Sequence, residues 1–226
     1  MKVLLFDIDG TLILTGGAGL RAMNKAFEKI FAIRNGLANL SLAGRTDTSI
    51  IREALTRHDL PHDERTIEKF KQAYYEFLQN EIAAPLDGKR IMPGVIPLLQ
   101  ELSRRENIYL GLLTGNWEKS GRLKLAYFGL NDYFPFGAFA DDSPLRDELL
   151  PFAIERFTRQ FGLKPDPEDV YVIGDTPSDI RCARPHGAIA VAIGASIYSV
   201  EQLKVHEPDF LFDDLANTDE VLRVLG

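Results

Sequence analysis

Short, almost wholly apolar runs recur along this chain with longer helical patterns between them, and that alternation restricts the fold more than any other feature. Val3–Phe6, Ile108–Thr114, Phe136–Ala140, Val170–Gly174, Ala188–Ile193 and Phe210–Phe212 read as strands. A sheet with one wet face would alternate apolar and polar residues; continuous apolar runs belong to parallel strands covered on both faces. Between them, Val95/Leu98/Leu99/Leu102 and Leu150/Ile154/Phe157/Phe161 follow helical spacing. Strand, helix, strand in succession predicts an α/β protein built on a doubly wound parallel sheet.

One stretch breaks the alternation. Residues 15–88 contain helical stripes and no convincing strand: Leu20/Met23/Phe27/Ile30/Phe31 and Ile67/Phe70/Tyr74/Phe77/Leu78 each mark an apolar helix face. Thr15-Gly16-Gly17-Ala18-Gly19 leads into it and Ala83-Ala84-Pro85-Leu86-Asp87-Gly88 leads out, both suited to linkers that absorb backbone rotation. The expected organisation is a Rossmann-like α/β core of residues 1–14 and 89–226, with a helical cap of residues 15–88 inserted after the first strand.

In an open parallel sheet, ligands bind beyond the carboxyl ends of the strands. Three of the strands end in reactive groups: Asp7-Ile8-Asp9-Gly10-Thr11, Thr114-Gly115-Asn116, and Gly174-Asp175-Thr176-Pro177-Ser178-Asp179. Distant in sequence, they share one rim of the sheet. Asp7 and Asp9 are two residues apart, so an extended backbone points both carboxylates the same way, and a neighbouring Asp175 adds a third. Such a set repels itself without a cation, and its hard oxygens suit Mg²⁺. The Thr114 hydroxyl and the N–H groups of Gly115 and Asn116, opening the next helix, offer an anion cradle. Carboxylates, metal and cradle together indicate phosphoryl transfer.

Composition narrows the field. With Lys+Arg 26 against Asp+Glu 33 and a formal charge of −7, the chain has no basic surface of the kind that binds nucleic acid. No apolar run approaches the ~18 residues of a membrane span, and Asp7 and Asp9 interrupt the apolar N-terminus. The single cysteine, Cys182, has no partner for an intrachain disulfide. The expectation is a cytoplasmic protein with neither nucleic-acid nor membrane partners, acting on a small phosphorylated metabolite.

DIDGT at 7–11, TGN at 114–116 and GDTPSD at 174–179, in that order and around an inserted helical cap, resemble the haloacid dehalogenase-like superfamily, near its phosphoglycolate phosphatase type. The resemblance covers nearly the whole chain. It implies that Asp7 is the nucleophile that forms an aspartyl-phosphate, and that Asp9 protonates the leaving group and then deprotonates water. It further implies Mg²⁺ held by Asp7, the Asp9 main-chain carbonyl and Asp175. Thr114, Gly115 and Asn116 bind phosphate oxygens, and Asp179 orients the metal's waters or a basic partner. The family's lysine near the last motif has no direct counterpart: Lys164 stands only 11 residues before Asp175, too close for a helix to intervene. Arg146, 29 residues before Asp175, has the family spacing and can neutralise the same charge with a bidentate fork. Gly44-Arg45-Thr46-Asp47 resembles the family's cap loop, which makes Arg45 a candidate for reading an anionic group on the substrate.

Each motif also has a bland reading. Thr176-Pro177-Ser178-Asp179 is a well-formed helix start, with an N-cap, a proline in the first turn and an acid at N3. Arg45 serves equally as a solvated residue ahead of a helix capped by Thr46 or Asp47, and Trp117 as packing. Gly17-Ala18-Gly19-Leu20-Arg21-Ala22 matches a dinucleotide fingerprint but lacks the strand and acid that would complete it. His58 and His62 have metal-like spacing, which Pro61 breaks. Asp141-Asp142 and Asp213-Asp214 read as turns or caps. Competing functions are a sugar-phosphate mutase of the same superfamily and a non-catalytic metabolite sensor; retention of the acid/base Asp9 argues against the sensor.

Overall fold

The computed structural model describes residues 1–226. Six parallel strands form one sheet: β1 (Lys2–Phe6), β4 (Ile108–Leu113), β5 (Phe136–Ala138), β6 (Val170–Gly174), β7 (Ile189–Ile193) and β8 (Phe210–Phe212), in the order β5-β4-β1-β6-β7-β8. The chain starts at the centre, builds outward through β4 and β5, then returns past β1 to build the other half. The reversal falls at β1, and a crevice opens there between connections that leave in opposite directions.

Alternate residues of β1 serve opposite faces. Leu4 and Phe6 join Leu110, Leu112, Ile173 and Val191 under α4 (Val95–Leu102) and α9 (Thr218–Leu225). Val3 and Leu5 join Val170, Val172, Leu150 and Phe157 under α6 (Leu149–Phe161) and α7 (Pro177–Ala183). No face is wet, which is why these strands carry no polar alternation.

Between β1 and β4 the chain makes α1 (Ala18–Phe31), α2 (Asp47–Arg57) and α3 (Glu64–Ala83). They share an apolar cluster of their own, in which Phe27, Phe70, Tyr74, Ile51 and Leu78 are buried together with Trp117 and Ala140 of the sheet side. Thr46 caps α2, its hydroxyl accepting the Ser49 N–H at 3.1 Å, and Asp63 caps α3 through the Thr66 N–H at 2.8 Å.

The helical stretch is bracketed by a feature absent from the sequence reading. Ile13–Thr15 (β2) and Lys89–Ile91 (β3) pair antiparallel, Ile13 opposite Ile91, so the way in and the way out lie side by side. Three other strands are shorter than expected, β4 ending at Leu113, β5 at Ala138 and β7 beginning at Ile189. Leu20, counted in an apolar stripe, is 40% exposed. No helix is long and apolar enough to cross a membrane.

Candidate active site

The ends of β1, β4 and β6 are level. Phe6 stands opposite both Leu112 and Ile173, so Asp7, Thr114 and Asp175 emerge on one rim. Asp7 keeps its main chain in the sheet, donating its N–H to the Ile173 carbonyl at 2.9 Å, while its side chain is delivered to the crevice. Gly10 turns the chain away at φ +91°, and a Cβ there would collide with the Asp175 carboxylate. Glycine is required on both counts.

Asp7, Asp175 and Asp179 each bring a carboxylate oxygen within 4.8 Å of the other two, and all three are buried. Burial pushes the Asp7 carboxyl up to about 6, and the neighbouring Asp179 and Asp9 charges add to the shift against the opposing pull of Arg146. Asp175 is raised as well, by burial first and then by Asp7 and Asp179. Buried like charges that resist ionisation are what a bound cation relieves. The donor set, all hard oxygen, fits a divalent ion such as Mg²⁺.

Arg146 sits in a one-turn 3₁₀ segment, Arg146–Glu148, that leads into α6. Its Nη2 is 3.2 Å from Asp7 Oδ1, donates to the Leu113 carbonyl at 2.8 Å, and pairs closely with Asp179 Oδ1. Burial opposes its charge, but Asp179 and Asp7 outweigh that and hold it firmly protonated. Asp179 turns its other oxygen to Thr176, accepting from the main-chain N–H at 3.0 Å and from the hydroxyl at 2.7 Å. The helix-start reading of this motif and its charge-pairing role therefore coexist in one carboxylate.

The Asp9 carboxylate lies outside the acidic group. Its Oδ2 accepts from Asn116 Nδ2 at 2.9 Å and from Lys124 Nζ at 2.6 Å. Asn116 Nδ2 also reaches Thr114 Oγ1 at 2.8 Å, tying the acid to the end of β4. The next helix, α5 (Glu118–Tyr127), opens two residues later than the motif suggested. Carboxylates from elsewhere occupy its first N–H groups: Asp47 takes Trp117 N at 3.0 Å and Asp141 takes Glu118 N at 2.6 Å. Gly115 and Asn116, expected to open that helix, thus lie in the loop that precedes it.

Asp7, Asp9, Asn116, Lys124, Arg146 and Asp175 line a cavity of about 300 Å³ beneath the helical insertion, walled also by Leu20, Met23, Ile50 and Tyr74. Arg45 stands at this wall, but its guanidinium is engaged by Glu53 Oε2 at 2.5 Å and by the Ser49 carbonyl at 3.1 Å. The insertion is closed onto the sheet. Thr46 donates to the Pro144 carbonyl at 2.6 Å, Thr48 to that of Ala140 at 2.7 Å, and the Asp47 N–H to that of Gly115 at 2.7 Å. A Cβ on Gly115 would strike the Arg45 carbonyl.

Three polar groups at the cavity escaped the sequence reading: Lys124, Asp47 and Tyr74. Asp47 is buried, and burial lifts its carboxyl to about 6. The Tyr74 hydroxyl is buried without a hydrogen-bond partner. For Lys124 a signal existed: Asn116, Ser120 and Lys124 fall at i, i+4 and i+8, one face of a helix that begins under the second motif. Of the residues set aside, Asp142 pairs with Arg156 at 2.5 Å and His58 bonds the Gly36 carbonyl at 3.0 Å.

The family model of the haloacid dehalogenase-like hydrolases matches residues 4–184, and the chain belongs to that family. It is 26% identical over 223 residues to a phosphoglycolate phosphatase of Rhodospirillum rubrum, covering 98% of this chain and 90% of that one. It is 23% identical over 227 residues to the pyrophosphatase PpaX of Oceanobacillus iheyensis, covering 100% and 97%. The crystal structure of a predicted phosphoglycolate phosphatase from Haemophilus somnus has the same fold, with a TM-score of 0.70, 21% identity and 98% of each chain covered.

Proposed function

We propose that this protein is a Mg²⁺-dependent phosphomonoesterase that hydrolyses a small phosphorylated metabolite through an aspartyl-phosphate on Asp7. The observation that carries the reading is the meeting of Asp7, Thr114 and Asp175 at three level strand ends, with Arg146 against Asp7 and a cavity beside them that has Asp9 at its wall. In this reading residues 1–14 and 89–226 form the catalytic core and residues 15–88 the cap.

An Asp7 carboxylate oxygen attacks phosphorus, and the bond from phosphorus to the leaving oxygen breaks. The Asp9 carboxyl gives its proton to that oxygen, and the alcohol departs. Water then attacks the phosphorus of the aspartyl-phosphate and gives its proton to Asp9. Phosphate leaves, and the Asp7 carboxylate is regenerated. Thr114 and the N–H groups of Gly115 and Asn116 hold the phosphoryl oxygens, and Arg146 offsets charge on nucleophile and phosphate together. Asp7, Asp175 and the Asp9 carbonyl would hold Mg²⁺, with Asp179 beside them. When bound, the ion supplies further neutralisation of the phosphoryl charge.

The cavity suits a small leaving group, and the names of the relatives, phosphoglycolate phosphatase and pyrophosphatase, point to compact anionic substrates. Arg45 serves as the reader of a second anion once such a group displaces Glu53. Phosphate release from p-nitrophenyl phosphate, with Mg²⁺ and with EDTA, tests the proposal. Turnover is expected only with the metal, and Asp7→Asn is expected to lower it at least ~1,000-fold. Turnover that survives Asp7→Asn would remove the mechanism.

A further inference from the structure

We infer that Lys124 is a positioning residue for the acid/base step: it fixes both the Asp9 carboxylate and the Asn116 amide so that one oxygen of Asp9 is left to serve the leaving group. The inference rests on the phosphatase reading and adds to it a residue that no motif contains.

Lys124 lies on α5, where its side chain is only 6% exposed, whereas that of Asp9 is 40% exposed. Lysine is almost never buried to this degree unless it is paired, because removing an ammonium from water opposes folding. Lys124 is buried to meet a carboxylate that is itself half in solvent, a poor bargain for stability and a sensible one for geometry.

The contacts form a closed triangle. Lys124 Nζ donates to Asp9 Oδ2 and to Asn116 Oδ1, each at 2.6 Å, and Asn116 Nδ2 donates to the same Asp9 Oδ2 at 2.9 Å. An ammonium has no acceptor to offer. The Asn116 oxygen must therefore face Lys124, which turns the amide nitrogen towards Asp9 and Thr114. One lysine thus sets two of the three edges directly and orients the third. Both donors converge on Oδ2, and Oδ1 of Asp9 is the oxygen available to the reacting group.

The surroundings leave the ammonium in place. Gly19, at the start of α1, presents a bare Cα: a Cβ there would lie 3.5 Å from Lys124 Nζ and 3.7 Å from the Tyr74 hydroxyl. Asp47, packed against the start of α5, adds a second negative charge near the ammonium.

The test is the dependence of turnover on the leaving group. Lys124→Met keeps the length of the side chain and removes its charge and donors. Along a series of aryl phosphates of similar shape, from phenyl to p-nitrophenyl to 2,4-dinitrophenyl, the poorer leaving group depends more on proton delivery. Lys124→Met is expected to lower kcat for phenyl phosphate about 100-fold while lowering that for 2,4-dinitrophenyl phosphate less than about 3-fold, with KM little changed. Lys124→Gln, which can still donate to Asp9, is expected to recover about 10-fold of the phenyl phosphate loss. An equal loss for every ester, or an effect confined to KM, would overturn the inference while leaving the phosphatase reading intact. A wild-type protein that releases no phosphate from any ester would overturn both. If Lys124→Met fails to fold, as judged by its thermal melt, the leaving-group profile of Lys124→Gln decides: a loss graded along the series supports the positioning role, and a uniform one ends it.

Discussion

Asp47 shows how a single buried carboxylate ties the insertion to the sheet and to pH. Its Oδ2 accepts from Trp117 N and from the Ser120 hydroxyl, so the cap loop holds the start of α5 through one side chain. Burial lifts its carboxyl from 3.8 to about 6. Below pH ~4 the group is protonated in folded and unfolded chains alike, and stability is at its fullest. Between ~4 and ~6 the unfolded chain releases the proton first, so stability falls as pH rises through the folded value. Asp47→Asn keeps one acceptor oxygen and removes the titration. It is expected to lessen the fall of the melting temperature between pH 4 and 6, the share due to the buried Asp7 carboxyl remaining, and to raise stability at pH 7 by ~1–2 kcal/mol, read by thermal melts. At this scale the sequence was legible where chemistry is concentrated in a motif, as with Asp7, Thr114 and Asp175. Lys124 stayed hidden because a lysine within a helix is by default a solvated residue, and only a partner 115 positions away makes it something else.

Among elements, the loop after β4 has the tightest fit. Gly115 lets the Arg45 carbonyl approach, and the Asp47 N–H closes the contact on the Gly115 carbonyl at 2.7 Å. Gly115→Ala is expected to push the cap loop away and lower kcat by about 10–100-fold, since small displacements at a reacting centre have effects of that size. The sheet core should be untouched, with a melting temperature within ~4 °C of wild type; parallel kinetics and melts separate the two. Five of the six sheet strands could be read from the sequence because burial on both faces leaves an unbroken apolar run, and the half-exposed edge strand β8 is just as apolar. β2 and β3 could not, because Ile13-Leu14-Thr15 and Lys89-Arg90-Ile91 carry polar or charged residues and form no apolar run of their own. The start of α5 was misplaced for a related reason: its capping acids, Asp47 and Asp141, lie 71 residues before Glu118 and 23 after it. Local capping rules look only at neighbours.

At the scale of the whole molecule, three of the acids behind a formal charge of −7 stand where folding most resists them, since Asp7, Asp175 and Asp179 share one buried pocket with Arg146. A divalent cation that binds only the folded chain should stabilise it by ~2.7 kcal/mol at a concentration 100 times its dissociation constant. Adding Mg²⁺ to EDTA-treated protein is expected to raise the melting temperature by several degrees, and Asp175→Asn to abolish the rise. No rise in the wild-type protein would count against the acidic pocket as a metal site. The fold class and the insertion were visible at this scale through alternation and its interruption; the shape of the cavity was not, because it depends on how two separately cored units meet.

The placement of β1 at the middle of the sheet also sets the order of events on the ribosome. Lys2–Phe6 is the first strand to be made, yet its neighbours begin at Ile108 on one side and Val170 on the other. At ~5–20 residues per second, the chain takes roughly 10–30 s to produce the second of them. The helices of the insertion, whose contacts are local, can consolidate during that time; β1 cannot. Asp7 therefore ends the strand of the sheet that waits through the longest stretch of chain for its two neighbours. Its apolar run has no partner until about half of the chain has emerged and keeps one edge open until β6 follows, and the carboxylates beside it keep one end of that run hydrated while it waits.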